Sequence, residues 1–166
     1  MEGSVSRKLD VKASATKTWT VCGSLLLADI AVAAFPDKYS RYKVLQGDGY
    51  AGTIIQVFLA PGVPGPPWYK EEFLVVDDVN RVKIGKVIEG GVLDQGFKSY
   101  VAVLNAIEKE GVKDECIIKG TIEYVLNDIA ALPLVEQSIE GLYGIMKAVA
   151  DYVINHNNNK RLNSQT

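Results

Sequence analysis

Six apolar positions near the C-terminal end, Val135, Ile139, Leu142, Met146, Val149 and Val153, recur at steps of 4, 3, 4, 3 and 4 residues. That spacing draws one face of a long amphipathic helix. Pro133 suits its first turn, where a missing N–H costs nothing. The helix needs an apolar partner, and the chain ahead of it reads almost entirely as strand. Strand patterns cover Tyr39 to Leu45, Ala51 to Leu59, Trp68 to Val76, Arg81 to Glu89, Phe97 to Ile107 and Cys116 to Val125. Turn formers separate them: Gly47-Asp48-Gly49, Asp77-Asp78, Gly90-Gly91 and Gly111. Short connections between consecutive strands imply an antiparallel meander. A curved sheet has a concave face to cover, and this helix is the only large cover available.

The N-terminal part adds one strand and two short helices. Val5, Arg7, Leu9 and Val11 alternate with polar residues, with Arg7 the exception on the apolar face. Ser14 can cap a helix from Ala15 to about Ser24. A second helix is expected over Ala28 to Ala34, ending before Pro36. The polar, Asn-rich stretch from His156 to Thr166 is expected to fray, which leaves residues 1–155 as one domain and 156–166 as a disordered tail.

Totals exclude several function classes. The 166 residues suit one domain, and 48% apolar with 23% charged residues is ordinary globular composition. A formal charge of -2, from 18 basic and 20 acidic residues, gives no electrostatic reason to bind nucleic acid. Cys22 and Cys116 form neither a disulfide framework nor a metal spacing and are expected as buried thiols. His156 is the only histidine and lies beside the Asn run, so a His-rich zinc site is excluded and a catalytic triad would rest on the tail. Met1-Glu2-Gly3-Ser4 does not open a signal peptide, and Leu25 to Phe35 is too short to span a bilayer. A cytoplasmic protein with no membrane partner is expected. A homodimer is compatible with the sequence and not required by it.

Four features bear on chemistry. Gly47-Asp48-Gly49-Tyr50-Ala51-Gly52 spells GxGxxG, but a strand follows it where a dinucleotide fold needs a helix N-terminus. It reads as a glycine-rich turn. Pro61-Gly62-Val63-Pro64-Gly65-Pro66-Pro67 is a stiff loop that either frames a pocket mouth or merely connects strands. Gly141 and Gly144 sit mid-helix, where each costs up to ~1 kcal/mol relative to Ala. They leave room either for a ligand or for a bulky neighbour.

The fourth feature is Tyr69-Lys70-Glu71-Glu72-Phe73. Period two places Tyr69, Glu71 and Phe73 on one face. If that face is concave, burial raises the Glu71 pKa and makes it a candidate general base. If it is convex, Glu71 is simply solvated. Lys83 on the next strand joins Glu71 only if the intervening loop has an odd length. A loop of two or four residues without a bulge puts them on opposite faces. A buried Lys beside a Glu can polarise a carbonyl and pass protons.

Three stretches resemble the plant pathogenesis-related class 10 (Bet v 1-like) family. They are Leu45 to Thr53, Ile88-Glu89-Gly90-Gly91-Val92-Leu93-Asp94-Gln95-Gly96, and Ile118-Lys119-Gly120-Thr121-Ile122-Glu123-Tyr124. The resemblance implies an α+β fold: a seven-stranded antiparallel curved sheet gripping a long C-terminal helix, with an apolar cavity between them. Tyr69-Lys70-Glu71 and Ile88-Glu89-Gly90-Gly91 are most similar to the norcoclaurine synthase branch, and norbelladine synthases also resemble this chain. Members of that branch condense dopamine with an aromatic aldehyde by Pictet–Spengler chemistry in alkaloid biosynthesis. The resemblance assigns catalytic roles to Tyr69, Glu71 and Lys83, and substrate contacts to Phe73, Ala102, Leu142 and Met146. Ala102 stands where the branch carries an Asp. No cofactor is implied, and the partners are a small aromatic amine and an aldehyde. The competing expectation is a non-catalytic plant-defence protein carrying a small apolar ligand such as a cytokinin.

Overall fold

A computed structural model describes residues 1–164. Strand β1 (Glu2–Val11) leads to helices α1 (Ala15–Cys22) and α2 (Leu26–Ala34). Six strands follow: β2 (Tyr39–Gln46), β3 (Ile54–Leu59), β4 (Trp68–Asp77), β5 (Val82–Gly90), β6 (Phe97–Lys109) and β7 (Val112–Leu126). Helix α3 (Leu132–Ser164) closes the chain. Local chemistry accounts for the boundaries. Ser14 accepts a hydrogen bond from the Lys17 N–H at 3.2 Å and so starts α1. Strand β3 begins later than the sequence pattern suggests, because the glycine-rich turn runs on through Thr53, whose N–H donates to the Tyr50 carbonyl at 3.1 Å. Gly47, Gly49 and Gly52 all have φ near +90 to +104°, as such a turn needs. The buried Thr53 hydroxyl accepts from the Gly49 N–H at 2.8 Å and fastens it. Strand β7 begins earlier than expected, because Lys109 pairs with Val112 across a tight turn at Glu110-Gly111.

The seven strands form one antiparallel sheet in the order β1-β7-β6-β5-β4-β3-β2. The β4–β5 register decides the geometry of the site. Asp77 pairs with Val82, leaving the four residues 78–81 in the loop. With regular pairing, Glu71 and Lys83 would then point to opposite faces. A β-bulge at Leu74 intervenes: Phe73 pairs with Gly85, whereas Val75 pairs with Ile84. The extra residue restores the parity and turns Glu71 and Lys83 to the same concave face. The hairpin tip is held in place by Trp19 of α1, whose Nε1–H donates to Asp78 at 2.8 Å.

Helix α3 covers the concave face as its apolar stripe requires. Val135, Ile139, Met146, Val149 and Val153 are all buried. Met146, expected to touch substrate, instead belongs to the core that joins Leu104, Ile118 and α1. Gly120 on β7 makes room for its sulfur, since a Cβ there would meet the Met146 Sδ at 2.6 Å. The two mid-helix glycines accommodate neighbours. A Cβ at Gly144 would lie 3.2 Å from the Phe35 ring, and one at Gly141 would lie 2.5 Å from the Lys38 Nζ. Arg7, the odd residue on the inner face of β1, reaches Glu136 at 3.0 Å and Glu140 at 2.8 Å and ties the sheet edge to the helix. Residues beyond His156, expected to fray, continue α3 as far as Ser164, since extending a nucleated helix costs little. Gln165 and Thr166 lie outside the described residues.

The placement of Met146 has a measurable consequence. Met146→Ala should lower stability by about 2–5 kcal/mol, the usual range for emptying a core site. Urea denaturation reads this directly. A loss below about 1 kcal/mol would place the side chain in a compliant cavity wall instead.

Candidate functional site

Between α3, α2 and the sheet lies a cavity of about 270 Å³. That is at the small end of ligand pockets, which run roughly 300–1,000 Å³, and it suits small molecules. Period two on β4 sends Tyr69, Glu71 and Phe73 into it. Lys83 enters from β5, Tyr100, Ala102 and Leu104 from β6, and Ser138, Leu142 and Ile145 from α3. Pro66 reaches the wall, so the proline-rich loop frames the cavity as well as connecting strands.

Glu71 and Lys83 are the chemical centre. Lys83 is 6% exposed. Its Nζ sits 3.9 Å from the Phe73 ring centroid and donates to the Ser24 carbonyl at 3.5 Å. Glu71 faces it within the same enclosure but outside ion-pair distance, since none of the described salt bridges joins the two within 4.0 Å. The two groups therefore share the cavity without neutralising each other in an ion pair. Gly85 is what gives the Glu71 carboxylate its place. It pairs with Phe73 on one side and Ala102 on the other, and a Cβ on it would collide with the Glu71 carboxylate oxygen. Lys70, the outward neighbour, is committed to Glu89 at 2.8 Å and takes no part.

Burial moves both proton affinities toward neutrality. Desolvation raises the Glu71 pKa above its ordinary value, and the positive charge of Lys83 only partly opposes this. Desolvation lowers the Lys83 pKa, with Glu71 and then Cys22 pulling the other way. The phenols around them stay protonated. Burial, helped by the negative charge of Glu71, pushes Tyr39 up to about 12 and raises Tyr69 well above its usual range. Tyr100 is raised for the same reason. The site thus holds one acid–base pair and the hydroxyls of Tyr39, Tyr69 and Tyr100 inside a mostly apolar wall, to which Tyr42 and Ser138 also contribute. Cys22 and Cys116 are buried free thiols, as expected, and burial pushes Cys22 up to about 12. His156 stacks on Tyr152 at 4.7 Å, outside the cavity wall. Among the described residues no group of three or more His, Cys, Asp or Glu could hold a metal ion.

Of the residues singled out in the sequence, Tyr69, Glu71, Phe73, Lys83, Ala102 and Leu142 line this one cavity, and Met146 does not. Gly85, Tyr39, Tyr100 and Lys38 were missed. Tyr100 was within reach, being two residues from Ala102 on the same strand. The others carried no signal, because their roles come from pairing across strands or from a loop.

The profile of the pathogenesis-related protein Bet v 1 family matches residues 1–156. The norbelladine synthase of Narcissus pseudonarcissus is 38% identical over 128 residues, 77% of this chain and 77% of its own length. The S-norcoclaurine synthase of Thalictrum flavum subsp. glaucum is 36% identical over 120 residues, 72% of this chain but 55% of its own length. An X-ray structure of norcoclaurine synthase from Thalictrum flavum in complex with dopamine and hydroxybenzaldehyde superposes with a TM-score of 0.79 at 32% identity, covering 94% of this chain and 88% of that one.

Two outcomes test the geometry. Gly85→Ala should displace the Glu71 carboxylate while thermal melting stays cooperative; a crystal structure of the variant with the carboxylate unmoved would contradict the role given to Gly85. The second concerns pH. A carboxyl whose folded pKa is raised stabilises the protein fully below its unfolded pKa, and that contribution is lost as pH rises through the folded value. Glu71→Gln should therefore gain stability over the wild type as pH climbs from about 4.5. A difference that stays flat from pH 4 to pH 8 in parallel denaturation curves would show that Glu71 is solvated.

Proposed function

The chain belongs to the pathogenesis-related protein Bet v 1 family, and on that premise we propose that it condenses an aromatic ethylamine with an aldehyde by Pictet–Spengler chemistry. The observation carrying this reading is the pairing of Glu71 with Lys83 on one face of one enclosed cavity, each with its proton affinity drawn toward neutrality. A general acid and a general base work best when their pKa values lie near the working pH. The similarity to norbelladine and norcoclaurine synthases supports the same substrate class.

In this mechanism the Lys83 ammonium donates a hydrogen bond to the aldehyde oxygen. The amine nitrogen adds to the carbonyl carbon and forms a carbinolamine. Glu71 takes the proton released from nitrogen and passes it to the alkoxide oxygen, which completes the carbinolamine and leaves Glu71 a carboxylate again. Lys83 gives a proton to the departing hydroxyl, water leaves, and an iminium ion remains. The electron-rich ring then attacks the iminium carbon, Glu71 accepts the proton lost from the ring carbon, and return of that proton to Lys83 as product leaves restores both groups. Tyr69, Tyr39 and Tyr100 hold phenol or catechol oxygens by hydrogen bonds. The apolar wall keeps bulk water from the iminium, and holding both reactants at near-attack distance supplies the rest of the acceleration.

Ala102 favours a second reading, a carrier for a small apolar ligand. Its methyl group lines the cavity in the row of Phe73 and Gly85, where the enzymes' resemblance calls for a carboxylate. Without that carboxylate one polar anchor for a cationic amine is gone. The two readings separate on variants assayed with dopamine and 4-hydroxyphenylacetaldehyde. The enzyme reading predicts that Lys83→Ala abolishes turnover with folding retained. It also predicts that Glu71→Gln slows turnover at least tenfold, or ~1.4 kcal/mol in barrier. Wild-type rates no faster than the uncatalysed background, with tight binding of either compound, would favour the carrier.

A further inference from the structure

The charge inventory of the cavity is unbalanced in a way the condensation does not use. Its charged lining groups are Lys38, Glu71 and Lys83, two ammonium groups against one carboxylate. Lys83 and Glu71, although not in ion-pair contact, each feel the other's charge, whereas burial is the only influence on Lys38. Lys38 has no such partner: among the described residues no carboxylate pairs with its Nζ within 4.0 Å. The helix beside it offers none, because Glu136 and Glu140 are both taken by Arg7. What Lys38 meets is the Tyr39 ring, 5.2 Å from Nζ to centroid, and the bare backbone of α3 at Gly141. A side chain at position 141 would occupy the space that the ammonium fills.

The sheet register places this lysine at the far end of the cavity from Lys83. Tyr39 pairs with Leu59, and Val57 pairs with Tyr69 near the start of β4. Lys83 pairs with Val76 near the end of β4. Tyr69 and Val76 are separated by roughly 20 Å of strand, at about 3.3 Å per residue. A ligand lying over Glu71 that reaches Lys38 with one end therefore points that end away from Lys83. A half-buried cation without a counter-charge is costly, and a ligand that brings one offsets the cost.

We propose that Lys38 is an anion-recognition site of the cavity, which selects small aromatic ligands bearing a carboxylate and holds that carboxylate at the end remote from Lys83. The selection concerns binding and applies to a ligand that is turned over or merely carried. Burial lowers the proton affinity of Lys38, and a carboxylate beside it opposes that shift.

Isothermal titration calorimetry with two nearly isosteric probes tests this without any aldehyde or turnover. The probes are 4-hydroxyphenylacetate and its neutral amide, 4-hydroxyphenylacetamide. The wild type should bind the acid at least tenfold more tightly than the amide. Lys38→Arg should keep that preference, Lys38→Met should abolish it while amide affinity stays within twofold, and Lys83→Met should leave it in place. The proposal is overturned if the wild type shows no preference or binds neither probe, or if Lys38→Met retains the preference. It is equally overturned if Lys38→Met loses amide binding too, which would make the residue a packing element, or if only Lys83→Met removes the preference. Because no reaction is monitored, a failed condensation assay and a failed selection are separate results.

Discussion

One helix cannot fill the concave face of a seven-stranded twisted sheet, and the site follows from that mismatch. Helix α3 and α1 pack tightly over the β6–β7 region, where Ile118, Met146, Val149 and Val153 form a dry core. A second core ties Phe97, Leu126 and Val135 together where β6 and β7 meet the start of α3. Over β3, β4 and β5 the helix stands off, and α2 with a handful of aromatic side chains closes the gap only in part. The enclosed space is a product of sheet curvature, and its depth explains why the groups inside it are desolvated.

Desolvation then does the electrostatic tuning. A carboxylate and an ammonium placed in a salt bridge would stabilise each other's charge and drift away from neutrality. Glu71 and Lys83 are kept apart by the room that Gly85 leaves and by the Phe73 ring under the Lys83 ammonium. Their mutual attraction is weaker than the cost of burying each charge, so both shifts run toward the middle of the pH scale. Perturbed proton affinities of this kind are common at functional sites, and here they fall on the two groups to which the proposed chemistry gives proton transfers.

Much of the architecture was legible in the sequence. The heptad-like stripe, the Ser14 cap, the turn glycines and the alternation at Tyr69, Glu71 and Phe73 are local signals, and the local chemistry produced the elements they announce. The GxGxxG string is legible as a turn because strand residues follow it. What could not be read were relations across strands. The bulge at Leu74 decides whether Glu71 meets Lys83, yet Leu74 looks like any other strand residue. Gly85 matters only because Glu71 lies opposite it. The helical stripe could not separate Leu142, on the cavity, from Met146, in the core one turn later, since period 3.6 marks a face and not what the face meets. Gly141 and Gly144 were open between a ligand and a neighbour, and the neighbours, Lys38 and Phe35, come from a loop that no periodicity describes.

The central claim is that this cavity brings an amine and an aldehyde together in one orientation between Glu71 and Lys83. Its most direct test is the stereochemistry of the product. The purified protein is incubated with dopamine and 4-hydroxyphenylacetaldehyde, and the product is resolved on a chiral column beside a protein-free control. The account predicts a single enantiomer formed well above the control rate, because a fixed pose exposes only one face of the iminium to the ring. Racemic product at the control rate would contradict it and leave the cavity as a binding site alone.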